Sequence, residues 1–580
     1  MITRNAPTCF KLMLCIGLAC TLLFSCSKER SNETNQDASL SVSVSGLEDY
    51  VMEDTQISLQ AASEPRSATI PNSSTNNLLG IKKIASDDGK EHEIQFLNDF
   101  DVDFEIVKTH PASATPKEAP LSNHAPRLSA KRSLMARQVL GSGVRYRLLI
   151  YRANETTPIV NVEATGSTFP AVAIASGFSY RWVALSTNET TSAPTVANNV
   201  VSGAQIANKD FLYASGSFFS QFGQNYLNIV FKRYTSQIQL TVDSRGMFGN
   251  IAANSNISFV INGGGTLSET ADFNVQDSSF SNFQPVALSS NNMSNTDPAL
   301  RVGTIYTVRP RAVAAGSLQL RLNPLRLTLD DGSTRTFADN TLSFGSAFSP
   351  VRGSSYAISA RLIESGVRVG SSNIRWARSN LTYRASAAAG FRYRFRPHPV
   401  NYIFDPNVDL WNFGTSMPNI PFDAVEACNQ VYPAGTWKYP TTGDLSALGN
   451  PATIEGYTPV GTGGSGIVVN WNRSPTQPAN SAYPGMDQLR LTFHGYRMTN
   501  GTLTQQPTVT GTQLSGQGHY FSSLYNQPTR TVSYLRMIYS GPNLVGPTNS
   551  MTGYSQSVVP IGQTPITEGR NIRCVRVVNP

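Results

Sequence analysis

Charge is scarce in this chain. Only 14% of its 580 residues are Asp, Glu, Lys or Arg, and no Lys/Arg run interleaved with aromatics occurs. The net charge of +8 comes from arginines scattered along strand-like segments. That pattern fits solvated strand faces and argues against a nucleic-acid site. The motifs of common catalytic sites are missing as well: there is no Gly-x-Ser-x-Gly elbow, no His-Glu-x-x-His and no P-loop. The six histidines are spread out, with no pair at zinc-ligand spacing beside the cysteines, so no metal, cofactor or enzymatic activity is expected. Long apolar runs are also lacking. The one at the start, Phe10 to Phe24, is too short and too closely followed by polar residues to span a bilayer.

What is abundant is Gly (44) and Pro (34), with Ser, Thr and Asn, the profile of an exported all-β protein with many turns. The opening apolar segment follows Arg4 and Lys11 and ends in Leu23-Phe24-Ser25-Cys26, which resembles a bacterial lipobox. Cys26 would then be acylated and become the mature N-terminus. Ser27, Lys28 and Glu29 resemble the short charged tag of surface-exposed Bacteroidetes lipoproteins. Cys9, Cys15 and Cys20 leave with the signal segment, which leaves Cys428 and Cys574. In an oxidising compartment these two can pair, closing a loop worth up to ~5 kcal/mol in the chain-entropy model; the alternative is two free, buried thiols.

Period-2 alternation organises the rest. Leu40, Val42 and Val44 mark a short strand, and Glu93 to Val107 one or two more. Pro111 to Pro126 carries four prolines and reads as loop. From Val144 onward strands recur, among them Arg145–Arg152, Tyr180–Leu185, Leu227–Val242, Leu318–Leu329 and Tyr356–Leu362. The spacing predicts two successive β-sandwiches at 138–254 and 255–364, after a signal segment at 1–26 and a pro-region at 27–137. Residues 365–580 hold four of the five tryptophans and two helix signals, which makes that segment α+β. One signal is Phe422–Gln430, with Asp423 and Glu426 placed like a capping pair. The other is Thr441–Leu448, with Thr441 before Asp444 and Gly449 as a stop.

The strands Leu148–Tyr151, Arg181–Asn188 (RWVALSTN), Asp210–Ala214 (DFLYA) and Val230–Val242 (VFKRYTSQIQLTV) resemble, in order and spacing, the fimbrillins of Bacteroidetes type V pili. Fimbrillins often carry His where Arg233 stands. A second resemblance covers the last segment. Ile374–Leu381, Ala427–Leu448, Phe493–Arg497, Gly518–Ser523 and Asn571–Val575 are similar to the Fibrobacter-type major paralogous domain, which is related to C-type-lectin-like and formylglycine-enzyme-like folds. Lys438-Tyr439 departs from the usual Arg-Leu. The combination resembles the tip or accessory subunits of Porphyromonas-type fimbriae.

These resemblances imply a mainly β fold: two fimbrillin-type sandwiches, then a C-type-lectin-like domain. They also imply a mechanism. The precursor's own N-terminal strand fills a groove in the sandwich; an Arg-specific protease then cuts the pro-region, and a neighbouring subunit's strand replaces it. The candidate cut sites are Arg137, favoured for lying before the first sandwich strand in a flexible stretch, then Arg132, Arg127 and Arg66. Glu93–Val107 is the favoured displaced strand, with Leu40–Val44 as the alternative. A Cys428–Cys574 bond would pin the segment around Cys574, so that the subunit accepts a strand but hardly gives one. The expected partners are other fimbrial subunits, the outer membrane through the precursor's lipid, and a host protein or glycan. Trp471, Trp411 and Tyr483 are the candidate ligand contacts; the alternative for each is a core position. The Glu-Pro-Asn and Gln-Pro-Asp motifs of calcium-dependent lectins are absent, and Trp471-Asn472-Arg473 departs from Trp-Asn-Asp. The rival reading is a surface glycan-binding lipoprotein that is never polymerised.

Overall fold

The computed structural model describes residues 37–48, 78–85, 91–109 and 137–577, with short breaks at 167–170, 264, 289–292, 296, 309–311, 462–463, 481 and 484. Cys26, Arg66, Arg127 and Arg132 lie outside the described residues. Strand accounts for 50% of the structure and helix for 4%, the mainly β class that the composition predicts.

Four strands precede residue 110: β1 (Ala38–Glu48), β2 (Leu78–Ala85), β3 (Glu91–Leu97) and β4 (Phe100–Thr109). Then follow β5 (Arg137–Gln138), β6 (Arg145–Arg152), β7 (Val160–Thr165), β8 (Val172–Ile174), β9 (Ser179–Ser186), β10 (Val200–Val201), β11 (Leu212–Phe219), β12 (Gly223–Arg233) and β13 (Ser236–Gly246). The first sheet runs β5-β1-β12-β11-β9-β6-β7, with β8 also paired to β1. Its middle strands are apolar on both faces because both faces are covered. Tyr146, Leu148 and Ile150 pack with Trp182, Ile229, Phe231 and Leu40 on one side. Leu149, Tyr151, Val183 and Leu185 pack on the other with Phe273 and Val275, next to the hairpin Glu269–Asn274/Ser279–Pro285. Double burial of this kind gives RYRLLIYR its near-continuous apolar run.

The second sheet has the order Leu300–Thr307, β13, Ser355–Glu364, β4, β3, β2. One feature departs from the expected partition. The boundary at 254/255 is crossed both ways, since β13 belongs to the second sheet while the 269–285 hairpin covers the first. Strands of the expected pro-region, 27–137, complete both sheets: β1 enters the first and β2 to β4 the second. β1 meets β12, and β4 meets Ser355–Glu364, across more than a hundred positions of sequence, and local periodicity carries no record of such pairings.

In the last segment, Val575–Arg576 lies between Arg375–Trp376 and Trp437–Lys438 in one small sheet. The helix Thr442–Ser446 has the expected capping box: Asp444 N–H donates to the Thr441 hydroxyl (3.0 Å) and Thr441 N–H to the Asp444 carboxylate (2.8 Å). Gly449, at φ +59°, follows it in the left-handed conformation expected of a helix stop. The other expected helix, 422–430, reduces to a 3-10 turn at Ala427–Gln430. Ala424 sits at φ +62°, which breaks the helix. Asp423 accepts from Ser416 N–H and Glu426 from Tyr439 N–H, so neither caps anything. Cys428, in that turn, is disulfide-bonded to Cys574, and both are fully buried.

Candidate functional site

The most informative local arrangement is the seat of β1. This strand runs parallel to β12, in register from Ala38↔Gly223 to Leu47↔Phe231. On its other edge only its ends are paired, Ala38–Leu40 with β8 and Leu47–Glu48 with β5; among the described residues no strand pairs with Ser41–Gly46 on that side. The register slips once, between Val44 and Gly46, and Gly46 takes φ +132°, a value L side chains rarely adopt. The slip brings Leu47 to the interior.

The two faces of β1 differ chemically. Ala38, Leu40 and Leu47 are buried in the first core, and Val42 and Val44 pack against it half-buried. Burying one leucine is worth about 1.5–3 kcal/mol, so the inner face supplies most of the attachment. The outer face is a hydroxyl–amide ladder. Ser39 donates to Gln224 Oε1 (2.9 Å), Gln224 Nε2 donates to Ser41 (2.5 Å), and Ser43 and Ser45 both donate to Asn228 Oδ1. These exposed bonds each add about 0.5–1.5 kcal/mol at most and serve mainly to set register. At the entry, Asp37 accepts from Ser176 N–H and Oγ (2.8 Å each), bonds that hold its carboxyl below the usual range.

If β1 left, the β12 edge from Gly223 to Phe231 would lose its partner and Leu148, Ile229 and Phe231 would be uncovered. Unpaired backbone groups beside an opened core are costly, so another strand of the same pattern would be drawn in. Arg137 lies in β5, its backbone paired opposite Glu48. That is a paired position rather than the flexible stretch expected, and a strand end is a poorer protease substrate than a free loop.

The expected ligand aromatics are core residues. Trp471 is 2% exposed and its indole N–H donates to Gly449 O (3.1 Å). Trp411 is fully buried, stacked on Tyr393 and edge-on to Tyr383. Tyr483 lies between the guanidiniums of Arg335 (4.5 Å) and Arg378 (4.0 Å), with burial pushing its phenol up. Aromatic content alone cannot separate core from surface, and here the core took all three. A partner-facing surface on the C-terminal module must use other residues.

The two motif histidines contact different partners. His494 stacks on Phe404 (4.2 Å) with Nδ1 3.4 Å from Asn571 Oδ1, whereas His519 stacks on Tyr534. Burial is the main cause that pushes His494 down to about 4 from 6.5, so it is neutral in the fold at pH 7. The unfolded chain takes up a proton on this ring below about pH 6.5, and the folded one only near pH 4. Stability is therefore lost as pH falls through that window, by about 3 kcal/mol from this group. Urea midpoints at pH 7 and pH 4.5 should show the loss, and His494→Gln should shrink it. An equal fall in midpoint between pH 7 and pH 4.5 in the two proteins would refute the assignment.

No protein-family model matches the chain, and the comparison with curated proteins gives no match. Among solved structures, one described as a cell adhesion protein from Bacteroides fragilis is similar over 42% of this chain and 87% of its own, at 11% identity and a TM-score of 0.27. Another described in the same words, from Bacteroides uniformis, covers 39% and 93% at 13% identity and a TM-score of 0.24. A fimbrial assembly protein from Parabacteroides distasonis covers 37% and 82% at 9% identity and a TM-score of 0.20. The functional reading rests on this chain's own strands and contacts.

Proposed function

We propose that this chain is a non-enzymatic tip or accessory subunit of a bacterial fimbria. In this reading it is exported as a lipoprotein anchored to the outer membrane through Cys26. Cleavage at an arginine of the pro-region, among Arg66, Arg127, Arg132 and Arg137, frees β1, and a strand of a neighbouring subunit takes its place at the cell surface. The observation that carries the reading is the β1 seat. A strand from far upstream fills the first sandwich, is paired along one edge and only at its ends on the other, and meets the core through alternate small and branched side chains. These are the terms of β-augmentation: backbone pairing supplies affinity, and alternate pockets supply register. Val575–Arg576 is enclosed by strands on both edges and adjoins the Cys428–Cys574 bond, so this stretch is poorly suited to being donated. The subunit accordingly accepts a strand and serves as a cap, with adhesion to a host protein or glycan as its outward role.

The test is the N-terminal sequence and mass of the protein in sheared surface filaments, compared with the membrane fraction. A lipid-free N-terminus just after one of the four arginines is the expected result. An acylated Cys26 terminus with nothing in the filaments would overturn it in favour of an unpolymerised glycan-binding lipoprotein. A variant with all four arginines changed to alanine should accumulate at full length and stay out of filaments; normal assembly of that variant would remove cleavage from the mechanism.

A further inference from the structure

β3 and β4 are built into the body in a way that β1 is not. β4 lies in mid-sheet, paired on one edge with β3 and on the other with Ser355–Glu364 from Phe100↔Glu364 to Thr109↔Ser355. Leu97, Phe100, Val102 and Phe104 are buried in the second core. Asp101 is fully buried and held in a pincer. Its Oδ1 accepts from Arg375 Nη1 (2.8 Å) and its Oδ2 from Arg576 Nη2 (2.7 Å), and Arg375 Nη2 reaches back to Leu97 O (3.0 Å). Those two arginines belong to Arg375–Trp376 and Val575–Arg576 of the C-terminal module, so one carboxylate joins these two strands to β4. Asn98, also buried, donates to Ala479 O (3.0 Å) and accepts at its own carbonyl from Asn480 Nδ2 (2.8 Å) and Ser365 Oγ (2.7 Å). Glu93 accepts from Gly345 N–H (2.7 Å).

We infer that residues 91–109 are a permanent part of the subunit, held by a carboxylate-recognising seat on the second sandwich and C-terminal module, and that β1 alone is the exchangeable element. Releasing this segment would leave two buried guanidiniums without their anion and open a filled core. Among the described residues, releasing β1 breaks no buried ion pair and uncovers an apolar edge at Leu148, Ile229 and Phe231. The two strands therefore differ in kind, although both lie upstream of Arg127, Arg132 and Arg137. A cut at Arg66 parts β1 and the lipid from 91–109, and a further cut at Arg127, Arg132 or Arg137 leaves 91–109 as a separate polypeptide bound to the body, so that the mature subunit is a two-chain complex. The inference rests on the proposed processing for its biological use; retention itself is a property of the contacts.

The experiment places recognition sequences for a site-specific protease within 49–77 and within 110–136 of the full-length chain. After complete cutting, native size exclusion and mass spectrometry follow the two released pieces. The fragment containing 78–109 is expected to co-elute with the body in equal amounts and to separate only in urea. Its elution as a free peptide in native buffer would overturn the inference. With Asp101→Asn, release from the cut protein should be faster by roughly a hundredfold or more. If that variant does not fold uncut, Asn98→Ala gives a smaller acceleration of the same sign, and no acceleration in either variant would also count against the seat. A labelled synthetic peptide of residues 37–48, added to the same cut protein, reports separately on strand exchange. Its failure to replace the β1 piece would sink that reading while leaving the retention of 91–109 to be judged on its own result.

Discussion

Asp101→Asn in the intact protein is expected to cost roughly 3–5 kcal/mol, the range for removing one partner of a buried ion pair. Asparagine keeps the shape but carries no charge, and Arg375 and Arg576 then remain fully buried with no anion between them. The cost comes from the stranded cations more than from the lost attraction, because desolvating a guanidinium is expensive wherever its counter-ion is missing. Replacing all three residues together by apolar ones of similar volume should therefore recover much of the loss. Trp437 lies under the Arg576 guanidinium at 5.0 Å, so tryptophan emission near this junction provides a readout in a urea titration. A change below about 1 kcal/mol, the scale of an exposed ion pair, would mean that the triad is solvated in solution.

Breaking the Cys428–Cys574 bond is expected to have an effect of similar size. The two cysteines are 146 residues apart in sequence, and a crosslink closing so long a loop removes about 5 kcal/mol of chain entropy from the unfolded state. Cys428→Ala with Cys574→Ala should lower the melting temperature of the C-terminal module and leave the first sandwich nearly unchanged, since β1, β6, β9 and β12 share no core cluster with either cysteine. Calorimetry should show one transition moving and another staying. Both sulfurs are buried, so the native protein should also resist reduction until it is partly unfolded. Ready reduction and alkylation without denaturant would refute the buried bond.

Much of this architecture was legible in the sequence because the signals are local. Period-2 runs such as RYRLLIYR and SYRWVALS mark strands, and Thr441-x-x-Asp444 with Gly449 marks a short helix. The pairing of those strands was not legible. That Gln237 sits beside Ser355, or Ala38 beside Gly223, is decided by which faces remain unburied once every element is present. Local signals also misled at 422–430, where a capping pair was in place but Ala424 adopts the left-handed conformation. The two candidate exchange strands differ in composition. Ser39 to Ser45 alternates cleanly between apolar and hydroxyl side chains, as a one-sided, reversible strand should. Glu93 to Val107 carries Asp99, Asp101, Asp103 and Glu105 among its apolar residues. Carboxylates in a buried strand require fixed cationic partners, and a strand with fixed partners is badly suited to leaving.

The parallel alignment of β1 with β12 also has a mechanical consequence. The chain enters β1 at Asp37, beside Gly223, and β12 delivers the rest of the body at Arg233, the opposite end of the pair. Tension between the segment upstream of Asp37 and the body thus pulls the two strands past each other along their common axis. In that geometry the backbone bonds from Ala38 to Leu47 share the load and must fail together, whereas a competing strand advancing from one end displaces them one at a time. The same joint can therefore resist a steady pull and still yield to a strand that enters from one end.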